Sequence, residues 1–86
     1  MKAFITVTDT FGGEPNFGWV RKKLITFPDN LSDRALIRRA KKAVNISGVP
    51  CDTFGYGDSI EIRPRNKKSN WVAFIDDFTT EEEENI

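Results

Sequence analysis

Apolar residues alternate with other residues over the first seven positions, where Ala3, Ile5 and Val7 share one parity. A period of two predicts a β-strand with one buried face. Residues 59–64 and 71–77 are also rich in strand-forming residues, and each run follows a turn rich in Gly or Asn. We therefore predict strands at all three places.

Residues 19–27, WVRKKLITF, predict another strand soon after the first. Its expected inward side chains are Trp19, Ile25 and Phe27. The side chains of the basic run at 21–23 cannot all lie on the same face of a strand. The sequence therefore predicts either a β-bulge or a strand with both faces partly exposed.

A helix is predicted directly after Ser32, which is a favourable N-cap. Asp33 suits the positive end of the helix dipole, and Leu31 with Leu36 occupies the two positions of a hydrophobic staple. Gly48 is the expected left-handed residue that ends the helix. The predicted buried stripe, at helical spacing, is Leu36, Ile37, Ala40, Ala43 and Val44.

These elements follow the order β-β-α-β-β, with space for one more short strand. Short turns between neighbouring strands favour antiparallel hairpins, and one helix can cover one face of a sheet. The predicted fold class is therefore α+β, with an antiparallel sheet of about four strands and one amphipathic helix. At 86 residues the chain can form one modest core. We assign this single domain to residues 1–78 and expect 79–86, which contain four consecutive Glu, to be an acidic, disordered tail.

The connection between the first two strands, residues 8–19 with the sequence TDTFGGEPNFGW, holds three aromatic residues and three glycines. Most hairpin connections need about two to five residues. The sequence therefore predicts a long loop, either a self-packed Ω-loop or a recognition surface. Phe11 is the expected exposed anchor, whereas Phe17 and Trp19 could equally complete the core. The predicted partner-binding residues are Asp9, Phe11, Gly12, Gly13, Glu14 and Asn16.

Net charge is zero, but the charges are segregated. Residues 21–68 contain twelve Lys or Arg and five Asp or Glu, whereas residues 69–86 contain six acids and no base. The cations of the outer helix face are Arg34, Arg38, Arg39, Lys41 and Lys42. They could bind the phosphates of a nucleic acid or form a solvated face, and the overall balance favours the solvated face. The acidic tail could also fold back and screen them.

Few residues suit catalysis. No His is present, so the usual activation of a Ser or Cys nucleophile is missing, and the single Cys51 cannot form an internal disulfide. Asp9, Glu14 and Asp58 could pair as acid and base or bind a cation, but they are more typical of turn residues. The Gly-Gly pair lacks the following Lys of a phosphate loop. The sequence favours a non-enzymatic protein without cofactor or metal, and a metal-dependent or thiol enzyme using Asp9, Asp58 or Cys51 is the remaining alternative.

The first residues lack the apolar run of a signal peptide, and no segment approaches the length of a membrane span. One unpaired Cys is also typical of a reducing compartment. A cytoplasmic protein is therefore expected.

Three segments resemble a group of small uncharacterised proteins of tailed bacteriophages and prophages: residues 7–21, VTDTFGGEPNFGWVR; 32–43, SDRALIRRAKKA; and 56–64, YGDSIEIRP. The resemblance extends to about residue 76 and is most specific in the TDTFGGE segment. Small phage proteins of this size often act on host machinery, and some block CRISPR interference by covering the surface of a Cas protein. The resemblance implies this phage setting, and we therefore expect a non-enzymatic, phage-encoded protein in the host cytoplasm that binds a host macromolecule. The expected target is a protein or complex of host defence, or of replication or another process taken over by the phage, which the protein inhibits stoichiometrically. The alternative is a nucleic-acid-binding accessory protein that uses the basic helix face.

Overall fold

The computed structural model describes residues 1–66 and 68–79. Its elements, in chain order, are β1 (Lys2–Phe11), β2 (Glu14–Thr26), α1 (Asp33–Ala43), β3 (Cys51–Tyr56), β4 (Ser59–Pro64) and β5 (Trp71–Thr79). The five strands form one antiparallel sheet in the order β2-β1-β5-β4-β3. The α+β class is confirmed, with five strands where about four were predicted. The predicted acidic tail lies outside the described residues from residue 80 onward.

The core lies between α1 and one face of the sheet. Ile5 of β1 stands opposite Ile75 of β5, and Val7 stands opposite Ala73, so the alternation of β1 brings its apolar residues under the helix. The buried core residues are Ala3, Ile5, Val7, Ile25, Leu36, Ala40, Val44, Ile46, Ile62, Ala73 and Ile75. Residues of the opposite parity form the other side of the sheet, here called the open face. Its members include Phe4, Thr8, Val20, Leu24, Phe54, Tyr56, Glu61, Arg63, Val72 and Phe74.

The helix begins as predicted and ends earlier. The backbone N–H of Ala35 donates to the Ser32 side chain at 3.3 Å, which satisfies one of the amides left open at the helix start. All five residues of the predicted apolar stripe lie in the core or pack against it. The chain leaves the helix through Asn45, whose φ is +60°, and not at Gly48. Asn tolerates the left-handed region better than most residues, and Gly48 takes a positive φ only in the turn that follows.

β2 is an edge strand, and most of its side chains are exposed on both faces. Ile25 is buried and Phe27 packs against the core as predicted. The inward prediction for Trp19 is wrong, because this side chain is 46% exposed. On the open face, the Lys22 ammonium lies 4.4 Å from the centre of the Phe4 ring, a cation–π contact that also covers part of the ring.

β3 is the strand that the sequence pattern left open. The Gly-rich segment before residue 59, GYGD at 55–58, was interpreted as a turn, but the turn is shorter: Gly55 and Tyr56 belong to the strand, and only Gly57 and Asp58 connect it to β4. Two glycines followed by an aspartate are typical of a turn. β3 also lies at the sheet edge, where burial does not impose an apolar alternation. The antiparallel backbone pairing with β4 is what makes this segment a strand.

Candidate functional site

The predicted long loop between β1 and β2 is a tight hairpin turn with a large bulge. Phe11 pairs with Glu14, so only Gly12 and Gly13 connect the strands. Their φ values of +61° and +85° match the two left-handed positions that a two-residue hairpin turn requires. The additional residues of the predicted loop are accommodated within β2. We call residues 9–19 the hairpin arm.

The bulge lies opposite Asp9. Thr8 pairs with Val20 and Thr10 pairs with Pro15, so the β2 segment 16–19 faces this single aspartate. The Asp9 Oδ1 atom accepts hydrogen bonds from the backbone N–H groups of Gly18 at 2.7 Å and Trp19 at 3.2 Å. Its Oδ2 atom accepts one from the Asn16 amide at 2.8 Å. A bulged segment leaves backbone donors without strand partners, and the Asp9 carboxylate satisfies two of them.

The electrostatics of Asp9 follow from these bonds. The Asn16 side-chain amide, helped by the backbone N–H groups of Trp19 and Gly18, holds the pKa of the Asp9 carboxyl below its ordinary value. A hydrogen bond of 3.0 Å from the Phe17 N–H to the Thr8 hydroxyl supports Phe17 in an unusual left-handed conformation with φ of +57°. A side chain at Gly18 would displace the Asp9 carboxylate, since an added Cβ would lie 2.8 Å from Asp9 Oδ2. Asp9 and Asn16, predicted as partner contacts, therefore shape the arm.

The tip of the arm is held to β4. The Arg63 Nη1 atom donates to the Gly13 carbonyl oxygen at 2.6 Å, and the Arg63 Nε atom donates to Glu61 Oε2 at 2.7 Å. Glu61 is a buried acid on the open face, and its hydrogen bonds raise the pKa of Arg63. Thr8 and Val72, on the same face, are fully buried. The arm therefore turns toward the open face and crosses to β4.

The arm presents aromatic rings to solvent. Phe11 at the tip is 81% exposed, which confirms the predicted exposure, and Phe17 is 61% exposed. Glu14 is also exposed beside the turn. Residues of the predicted site thus separate into two groups: Phe11 and Glu14 reach solvent, whereas Asp9, Asn16 and the two glycines determine the backbone path.

The basic helix face lies on the far side of the core from the open face. Arg34, Arg38, Arg39 and Lys42 are exposed. The last three line a shallow cleft of about 510 Å³ together with Ile25, Thr26 and Ala43. Lys41 was predicted with this group, but its Nζ atom donates to the Val49 carbonyl oxygen at 2.6 Å and the side chain is half-buried. Lys41 still lines a second cleft beside Arg34 and Arg38, so all five predicted cations share this face and four of them are exposed.

The carboxylates considered for acid–base chemistry do not converge. Asp9 stands opposite Trp71 at the start of β5, whereas Asp58 lies in the turn before β4, two residues ahead of Ile60, which pairs with Ile75 farther along β5. Within residues 1–66 and 68–79, no three His, Cys, Asp or Glu side chains are grouped closely enough to hold a metal ion. Burial raises the pKa of the Cys51 thiol, which lies 3.2 Å from the Val49 carbonyl oxygen. A protonated thiol is a poor nucleophile.

The contact between Arg63 and the hairpin turn was missed by sequence reasoning. Glu61 and Arg63 stand two positions apart on a predicted strand, so their shared face was available as a signal. Their link to Gly13 left no such signal in the sequence, because 50 residues separate Gly13 from Arg63.

The chain matches no protein-family model, no curated protein and no solved structure. Within the described residues, no helix combines the length and apolarity that crossing a membrane requires.

Proposed function

We propose that this chain is a non-enzymatic, phage-encoded protein that binds a host protein through the tip of the hairpin arm and inhibits it stoichiometrically. The observation that carries the proposal is Phe11, 81% exposed at the end of a hydrogen-bonded hairpin. Exposed aromatic residues are frequent energetic centres of interfaces. Transfer of such a side chain from water into a partner's pocket contributes roughly 1.5–3 kcal/mol.

Preorganisation of the arm supports this proposal. Asp9 binds the bulge from inside, and Arg63 binds the turn from β4. A segment that is ordered before binding loses less conformational freedom when the complex forms. Glu14, exposed next to Phe11, adds a negative charge that favours a partner with a basic group beside an apolar pocket.

The host setting rests on the resemblance to small phage proteins. The most specific part of that resemblance, TDTFGGE, contains the first strand and the turn of the hairpin arm. A component of host defence in the bacterial cytoplasm, such as a Cas protein, is the partner class that we favour. Covering a functional surface would inhibit it in the manner of an anti-CRISPR protein, without turnover and without a cofactor.

Affinity capture with matched variants tests the proposal. The immobilised protein is incubated with nuclease-treated host lysate, and the captured protein is then purified and titrated against the wild type. Phe11→Ala should reduce its affinity by at least about tenfold, corresponding to the loss of roughly 1.4 kcal/mol or more. Leu24→Ala removes another exposed apolar side chain, on β2 and outside the arm, and should leave the affinity unchanged. Equal affinities of the Phe11→Ala variant and the wild type would contradict the proposal.

The second candidate function is nucleic-acid binding by the basic helix face. It is favoured by the exposed side chains of Arg34, Arg38, Arg39 and Lys42 on one helix. Phosphate contacts release counterions, so such binding would weaken steeply with salt. A complex with duplex or single-stranded nucleic acid that persists near physiological salt and is lost in an Arg38→Glu variant would favour this function over the first.

A further inference from the structure

β3 is the last strand of the described sheet, and its outer backbone edge meets no other strand among residues 1–66 and 68–79. Within the described part of the chain, β4 is its one strand partner. The N–H of Arg65 donates to the Pro50 carbonyl oxygen at 2.9 Å, which sets the hydrogen-bonding parity of this hairpin. Because directions alternate along an antiparallel ladder, Phe54 directs its backbone groups toward β4, whereas Thr53 and Gly55 direct theirs outward. A strand added at this edge would meet regularly spaced donors and acceptors.

The two edges of the sheet differ in their protection against strand addition. β2 carries Pro15, the bulge at 16–19 and the basic run at 21–23. Proline, bulges and lysines at an edge all discourage pairing with another chain. β3 pairs with β4 without a register shift, and its segment 53–56, TFGY, contains no charge and no proline. The β3 edge is therefore open to pairing.

The side chains beside this edge are aromatic. Phe54 is 44% exposed and Tyr56 is 59% exposed, and both lie on the open face. Gly55, between them, leaves open space on the helix side, since an added Cβ would meet no atom within 4 Å. The nearest charge in the strand, Asp52, is already paired with Arg65 at 2.9 Å. An approaching strand would thus meet apolar rings and no unpaired charge in this segment.

We propose that two copies of this chain join through β3, antiparallel, around a two-fold axis at Phe54. In this register Thr53 of one copy exchanges backbone hydrogen bonds with Gly55 of the other, using the groups that point outward. Phe54 then stands opposite Phe54 of the second copy, in a pair without mutual backbone bonds, where side chains approach most closely. The two sheets of five strands become one continuous sheet.

A second copy is the occupant that fits because a two-fold interface must be complementary to itself. The uncharged centre of β3 brings no like charges together: Phe54 meets Phe54 of the second copy, and Tyr56 stands opposite its Asp52. The proposal rests on the outward backbone groups of β3 and does not use the function proposed for the hairpin arm, although the arm tip reaches the neighbouring strand β4 through Arg63. It joins two arms in one assembly, a bivalent arrangement for any partner with repeated sites.

Disulfide trapping tests the register. In a Cys51→Ser background, Phe54→Cys should give a covalent dimer under mild oxidation, because the two Cα atoms would lie about 4.5 Å apart, within disulfide range. Thr53→Cys in the same background is the matched control. Its counterpart would be offset by two residues, roughly 8–9 Å away, so it should remain largely uncrosslinked. Equal crosslinking of the two variants, or none in either, would overturn the proposed pairing.

Sedimentation of the full chain tests the assembly without cysteine substitutions. The wild type should approach twice its mass of 9.8 kDa as the concentration is raised. Thr53→Pro removes an outward N–H while leaving the bonds to β4, and should return the protein to a monomer; Thr53→Val keeps that N–H and should remain dimeric. If Thr53→Pro fails to fold, the cysteine pair decides the question. A wild type that stays monomeric at every concentration would overturn the proposal.

Discussion

The Arg63 guanidinium donates a 2.6 Å hydrogen bond to the carbonyl oxygen of Gly13, which lies 50 residues earlier in the chain. The same guanidinium binds the buried Glu61 carboxylate at 2.7 Å. The Arg63 side chain therefore links the buried Glu61 carboxylate on the open face to the exposed turn beside Phe11. The position of the proposed binding tip therefore depends on the ion pair between Arg63 and Glu61.

Arg63→Met should release the turn and remove the hydrogen-bonding partner of buried Glu61. Buried polar groups that lose a hydrogen bond typically cost about 1–3 kcal/mol, so unfolding in urea should occur at lower concentration. Amide hydrogen exchange should accelerate at residues 11–14. Arg63→Lys keeps the charge but has no planar fork to bind Glu61 and Gly13 together, so an intermediate effect is expected. Unchanged exchange at the turn in both variants would show that Arg63 does not hold it.

Asp9 should make the stability of the arm depend on pH in the acid range. Its pKa is lowered in the folded protein, so its contribution to stability is present above its unfolded pKa of about 3.9 and is lost as pH falls through the lower folded value. Asp9→Asn removes this titration. The free energy of unfolding, measured between neutral pH and the acid limit, should therefore fall less steeply in Asp9→Asn than in the wild type. Parallel pH profiles would contradict this role of the carboxylate.

Gly18→Ala and Gly55→Ala form a matched pair of substitutions in strand segments. At Gly18 the new Cβ would lie 2.8 Å from Asp9 Oδ2, so the carboxylate must move away from its donors. At Gly55 the same methyl group enters open space. Thermal unfolding should show Gly18→Ala destabilised by about 0.5–1.5 kcal/mol, because the hydrogen bonds of the Asp9 carboxylate are disturbed, and Gly55→Ala within about 0.5 kcal/mol of the wild type. Equal effects at both sites would indicate that the bulge adapts without strain.

Leu36→Ala tests the packing of the helix on the sheet. Leu36 is buried in the core, and truncation of a buried leucine to alanine costs about 2–5 kcal/mol. Arg38, two positions along and exposed, is the control, and Arg38→Ala should stay within about 0.5 kcal/mol. A melting temperature unchanged by Leu36→Ala would reject this assignment of the buried face.

Features set by neighbouring residues were predictable from the sequence. The alternation of Ala3, Ile5 and Val7, the N-cap at Ser32 and the apolar stripe of the helix each depend on contacts within a few positions of the chain. The exposure of Phe11 was also predicted, because glycines beside an aromatic residue offer nothing to cover it locally. The α+β class followed from the order of these elements.

Long-range pairing decided the remaining structure. The apparent loop at 8–19 became a tight hairpin because Asp9 satisfies the backbone of a bulge, and β3 became a strand because β4 pairs with it. The bonds from Arg63 to Gly13 and from Lys41 to the Val49 carbonyl form only once the strands and the helix end are in place. Hydrogen bonds between residues far apart in the chain carry no local pattern, since their donors and acceptors meet only after the sheet has formed. Short-range periodicity therefore specified the core of this protein, whereas the shape of its hairpin arm and the free edge of β3 arose from the assembled sheet.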